Sequence, residues 1–310
     1  MARLDVAIMI EGQDGLNWPR WQRLVRAAEE LGFYGIFRSD HFTNASGPVL
    51  DALELWSSFT WLAGNTQRIS FGALVSPMSF RHPVMTAWQA SAVDALACGR
   101  LRLGLGAGWQ EREHEAFGFD LLDTTARFAR FEEGLEVITR LLRSDEPANF
   151  SGRYYRLHEA QLKPRSPRQT GPPITIGGAG PKRTLPLVAK YADEWNAVSM
   201  TLDDYRERAG MLDGLLRDAG RDPASVRRTM MTRGAIAATE EGVLAKLSGG
   251  PRSLAEVRAR GGIAGTPAQV VPQLQELAEA GVQGVMLQWL ELDDITNLEL
   301  IAAEVLPHLR

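Results

Sequence analysis

Between Ile69 and Trp109 the chain reads strand, helix, strand, and no other stretch restricts the fold as much. Residues 69–75 are apolar and strand-like and stop at Ser76-Pro77. Residues 84–97 carry apolar side chains at helical spacing. Leu101, Leu103 and Leu105 then alternate into Gly104, Gly106 and Gly108, followed by Trp109. Two strands joined by one crossover helix lie parallel in the same sheet. Parallel sheets gather their binding sites at the C-terminal ends of the strands. Ser76-Pro77 and Gly106-Ala107-Gly108 stand at that edge, and both leave room for a ligand.

The same alternation recurs along the chain. Strands are expected at residues 4–10, 35–39, 69–75, 101–105, 174–177, 195–199, 228–237 and 282–289. A helix follows each. The first starts at Asn17-Trp18-Pro19 and stops at Gly32, the usual proline-in, glycine-out asymmetry. Others are expected over 50–63, 84–97, 202–219 and 295–309, from Phe128 to Leu142, and from Pro181. Gly265-Thr266-Pro267-Ala268-Gln269 is a strong helix start, with Thr266 and Gln269 spaced as a capping box and Gly281 as the stop. Eight strand–helix units predict a closed (β/α)8 TIM barrel with insertions. A doubly wound open sheet is the alternative, although its usual strand count is lower. No linker divides residues 1–310, which read as one barrel domain. Insertions fall near 150–164, a small β excursion, and near 239–265, read as short helices and mobile loop.

Composition narrows the function classes. At 45% hydrophobic and 23% charged, the 310 residues can bury a large core. Net charge is −4 and no basic run occurs, which disfavours nucleic acid and anionic membranes as partners. No apolar run approaches the roughly 18 residues of a membrane span. The lone Cys98 rules out an intrachain disulfide, and no secretory signal is evident, so a cytoplasmic location is expected. The histidines lack helical zinc spacing, so no metal site is expected.

Three constellations can carry chemistry. Asp40-His41 is a titratable pair at a strand's C-terminal end. Period-2 alternation sends the two side chains to opposite sides unless the strand has already ended. The plain alternative is structural, with Asp40 capping or pairing with Arg38 and His41 a satisfied loop histidine. Gly104 to Trp109 departs from the dinucleotide fingerprint. Its glycines let a flat ligand approach the backbone, or simply permit tight packing. Gly177-Gly178-Ala179-Gly180-Pro181 enters a helix and can offer backbone N–H groups to a phosphate, with Lys182 and Arg183 adding charge. The plain alternative is a flexible loop.

Taken together, Ser39-Asp40-His41-Phe42, Phe71 to Pro77, Phe80-Arg81-His82-Pro83, Gly99-Arg100-Leu101 through Trp109, Ile176-Gly177-Gly178 and Tyr191 to Asn196 resemble the luciferase-like monooxygenase superfamily. The likeness runs through almost the whole chain in order. It looks most like the branch of deazaflavin (coenzyme F420)-dependent oxidoreductases.

That resemblance implies a barrel, usually a homodimer, with the cofactor's ring in the mouth. Asp40 and His41 would contact the ring, with His41 as catalytic acid or base. A non-proline cis peptide would join Ala73 and Leu74, and Ser76 would be a further contact. Gly106, Ala107, Gly108 and Trp109 would line the ring, and Gly177, Gly178, Ala179 and Gly180 would meet the tail phosphate. The implied activity is hydride transfer between F420 and a small-molecule substrate. An FMN-dependent monooxygenase with a reductase partner, or a cofactor-binding protein without turnover, are the rivals. Sugar-phosphate dehydrogenases of this branch carry an acidic glutamate where this chain has Trp109, so Trp109 is expected to shape an apolar pocket. Glu11, Asp14 and Glu111 are unranked polar candidates nearby.

Overall fold

The structure is a computed structural model that describes residues 3–247 and 253–309. Eight parallel strands form the ring: β1 (Asp5–Ile10), β2 (Gly35–Arg38), β3 (Ser70–Ala73), β4 (Leu101–Gly106), β5 (Ile174–Gly177), β6 (Glu194–Val198), β7 (Arg227–Ile236) and β8 (Gly284–Trp289). Each pairs with the next, and Ile10 sits opposite both Arg38 of β2 and Trp289 of β8, which closes the barrel. A two-residue strand, Ser76–Pro77, resumes the β3 ladder against Leu105 and Gly106. After each strand comes a helix: Trp18–Glu30, Leu55–Asn65, Pro83–Leu96, Thr124–Arg143, Thr184–Tyr191, Leu202–Asp218, Pro267–Glu279 and Thr296–Glu304. The (β/α)8 expectation holds, and the open sheet is excluded by the closing pair.

Local chemistry sets the helix ends. Asn17 Oδ1 accepts from Arg20 N at 3.2 Å, and Gln269 Oε1 accepts from Thr266 N at 3.1 Å in the expected capping box. Two starts move. The second helix begins at Leu55, not at 50, because residues 51–53 are held extended against the loop after β1: Leu53 N donates to Leu16 O at 3.0 Å. Glu54 then caps it by accepting from Ser57 N at 2.7 Å. The fifth helix begins at Thr184 rather than Pro181, since residues 181–183 make a turn first and Gly180 O accepts from Thr184 N.

Successive strand residues face opposite sides, although nearly all are buried. Val6, Ile8 and Ile10 of β1 join the core shared with the helices, as do Val285, Leu287 and Trp289 of β8. The residues between them, Ala7, Met9 and Met286, face the barrel interior with Phe37. On the far side of the ring the interior is polar. Glu194, buried, accepts from Arg102 Nε at 2.5 Å and from Thr229 Oγ1 at 2.8 Å, and Asn196 Nδ2 donates to Thr229 Oγ1 at 3.0 Å.

Both insertions lie outside the ring. The first is an antiparallel ribbon, Ala148–Ser151 with Arg156–Ala160. The second holds helices Glu240–Ala245 and Leu254–Ala259 and a strand that the sequence reading missed, Ile263–Gly265, beside the outer end of β7. Residues 248–252, part of the stretch read as mobile loop, lie outside the described residues.

Candidate active site

Carried past the strand ends, the interior phase of the alternation leads to the barrel mouth. Met9 continues to Glu11 and Gln13, Ser39 to His41, Gly106 to Gly108, Asn196 to Val198, and Gln288 to Leu290. All of these line one cavity of about 760 Å³. Leu74, Gly177 and Met231 complete the same phase from β3, β5 and β7. This is the site expected at the C-terminal edge.

The alternation separates Asp40 from His41. His41 lies on the cavity wall, and its Nδ1–H donates to Glu113 Oε1 at 2.7 Å. The other oxygen of Glu113 accepts from Phe42 N at 2.9 Å. Nε2 makes no hydrogen bond among the described residues. Trp109 stands edge-on to the imidazole, with centroids 5.7 Å apart. Burial alone pushes the His41 pKa down. The hydrogen bond to Glu113 and the charges of Glu113, Glu11 and Asp40 outweigh it and raise the pKa above its ordinary value. A buried carboxylate that holds one imidazole nitrogen and leaves the other facing a cavity is the arrangement of an acid–base histidine.

Asp40 sits behind the wall, in the opposite phase. It is buried, accepts from Ser76 Oγ at 2.6 Å, and forms an ion pair with Arg81, which also reaches Glu54 at 3.0 Å. Its partner is therefore Arg81 and not Arg38. Arg38 instead donates to Ser58 Oγ at 2.9 Å and to Leu53 O at 2.5 Å, and its burial pushes the pKa down to about 10. Ser76 shares that layer with Asp40, and Ala73 is buried at the end of β3.

Past β4 and β5 the wall is backbone. Gly106, Ala107, Gly108, Gly177 and Gly178 line it. These glycines also make room for the protein itself: a Cβ on Gly106 would lie 2.5 Å from Val75 Cγ2, and one on Gly177 would lie 3.0 Å from Val75 Cγ1. The non-proline cis peptide joins Leu74 and Val75, one bond later than expected. The ladder decides this, because Leu74 N still donates to Arg38 O at 2.9 Å and pairing resumes only at Ser76. Gly178 N is taken by Asn196 O at 3.0 Å, so it is not a free donor. The amides of Ala179, Gly180, Lys182 and Arg183, just past the wall, donate to no group among the described residues.

Comparison with known proteins gives the family. The model of the luciferase-like monooxygenase family, Bac_luciferase, matches residues 6–259. The chain belongs to the luciferase-like monooxygenase family. Two relatives within it are the 4-hydroxyprotoasukamycin monooxygenase of Streptomyces nodosus subsp. asukaensis and the F420-dependent hydroxymycolic acid dehydrogenase of Mycobacterium tuberculosis. The first is 32% identical over 58% of this chain and 47% of the relative. The second is 32% identical over 67% of this chain and 57% of the relative. The chain thus spans about half the length of the curated relatives it matches. Among solved structures, an F420-dependent secondary alcohol dehydrogenase superposes with a TM-score of 0.85 at 18% identity, covering 99% of each chain, a likeness of fold.

Sequence reading assigned no site role to Gln13, Gln288 and Arg127, which line the cavity, nor to Glu113 and Arg81, which lie behind it on His41 and Asp40. Glu113 lies 72 positions from His41, and no local pattern joins them. Glu111, weighed as a candidate, is exposed and off the cavity, while Glu11 and Asp14 are on it.

Proposed function

We propose that this chain is an F420-dependent oxidoreductase that transfers a hydride between the deazaflavin and a small organic substrate. The observation that carries the reading is one cavity lined both by His41, held by Glu113, and by the glycine backbone past β4 and β5. Relatives named as F420-dependent support the choice of cofactor.

The residues present fit such a group. The cavity is large enough for a tricyclic ring and part of its tail. Arg127 Nε is buried without a partner among the described residues, on the same cavity as Gly177 and Gly178, and suits an anionic tail together with the amides after Gly178. Bound there, the deazaflavin would supply the hydride chemistry. His41 Nε2 would hold or deliver the proton at the substrate oxygen. Glu113 would keep the imidazole in the tautomer that leaves Nε2 free and would stabilise its charged form. Trp109, Val198 and Leu290 would exclude water and orient the substrate.

Similarity to a monooxygenase supports a second reading, an FMN-dependent enzyme built on the same walls. Titration of the purified chain with F420 and FMN separately tests both. Saturable micromolar binding of F420 is expected. Saturable binding of FMN alone would overturn the F420 assignment.

A further inference from the structure

We propose that the β8–β1–β2 side of the cavity selects substrates without negative charge, the carboxylates of Glu11 and Asp14 disfavouring an anionic group on an otherwise apolar molecule. This deepens the reading above and rests on the cavity being the substrate site.

Strand order divides the mouth. β8, β1 and β2 are consecutive in the ring, so Gln288, Glu11, Asp14 and His41 share one arc, while the glycine wall belongs to β4 and β5. Gln288 Nε2 donates to Glu11 Oε1 at 2.6 Å and Gln13 Nε2 to Glu11 Oε2 at 3.1 Å. Asn44 Nδ2 donates to Asp14 Oδ1 at 2.6 Å. These amide partners orient the carboxylates without neutralising them, and a carboxylate has further lone pairs to offer.

Among the described residues Arg127 is the one cation on the cavity wall besides protonated His41, and it comes from the helix after β4, away from this arc. Other cations around the arc are committed elsewhere: Arg38, against Gly12, donates to Ser58 Oγ and Leu53 O. Arg20 pairs with Asp293, Arg81 with Asp40 and Glu54, and Arg112 donates to the carbonyls of Asn44 and Gly47. An anionic group beside His41 would face the carboxylates of Glu11 and Asp14, and the one positive group near it, the protonated imidazole, is already paired with Glu113. The apolar part of the substrate has partners in Trp109 and Leu290, 62% and 37% exposed although they line the cavity.

The test uses a size-matched pair, methyl 4-acetylbenzoate and 4-acetylbenzoate, titrated into the full chain by ligand-observed NMR, with and without added F420. The ester is expected to bind at least tenfold tighter than the acid. In a Glu11→Gln/Asp14→Asn double variant that gap should shrink at least threefold. Asp14→Asn alone, expected to shrink it at least 1.5-fold (about 0.2 kcal/mol), serves if the double variant does not fold. A smaller preference in the parent chain, a smaller change in the variant, or no binding of either probe overturns the proposal. Loss of F420 binding with the ester preference intact would instead sink the cofactor assignment alone.

Discussion

His41 has one nitrogen on Glu113 and the other toward the cavity, and its protonation is the most sensitive quantity in the site. His41→Ala should lower turnover about a hundredfold or more, the usual worth of a placed acid–base group, while cofactor affinity changes far less. Steady-state kinetics beside a cofactor titration would show the split. Glu113→Gln removes the charge that raises the His41 pKa, and with it the charge-assisted strength of the hydrogen bond, and leaves burial, which lowers the pKa. Because the folded value is raised, protonated His41 favours folding. That contribution is full below the ordinary imidazole value of about 6.5 and is lost as pH rises through the raised one. The stability gap between parent and Glu113→Gln should therefore be widest just below that ordinary value and narrow with rising pH. An NMR titration should find the His41 value lower in the variant. At this scale the sequence was half legible. Alternation alone parts Asp40 from His41, but a carboxylate 72 residues away leaves no trace in any local pattern.

Among the elements, β3 and β4 approach closely at Gly72, Gly104 and Gly106. Gly106→Ala would drive a Cβ against Val75 Cγ2, and overpacking of this kind costs about 1–3 kcal/mol. Urea midpoints should fall accordingly, and adding Val75→Ala should restore part of the loss, since the two side chains share one space. Thr266→Ala removes half of a capping box and should cost about 1 kcal/mol by the same measurement. The capping box and the eight strand–helix units could be read from residue types, because caps and apolar periods are local. The start at Leu55 and the cis bond at Leu74-Val75 could not, because partners in other elements fix them, Leu16 and Arg38.

For the molecule as a whole, the polar side of the barrel interior ties β4, β6 and β7 together through Glu194. Replacing that buried carboxylate by Gln would strand Arg102 without its counter-charge, and breaking a buried pair costs about 3 kcal/mol or more. Denaturation should show the loss, with cofactor binding retained below the transition. The ring itself was legible from a count of strands. The cavity was not, because its walls exist only where all eight strand ends converge.

That convergence has a temporal side. The lining residues run from Met9 to Leu290, so nothing resembling the pocket is present until the final strand docks beside the first. A half-synthesised chain is blind to its ligand. Whatever binds in the finished mouth stabilises only the closed state, and in a growing cell its concentration would help set how many newly made copies survive.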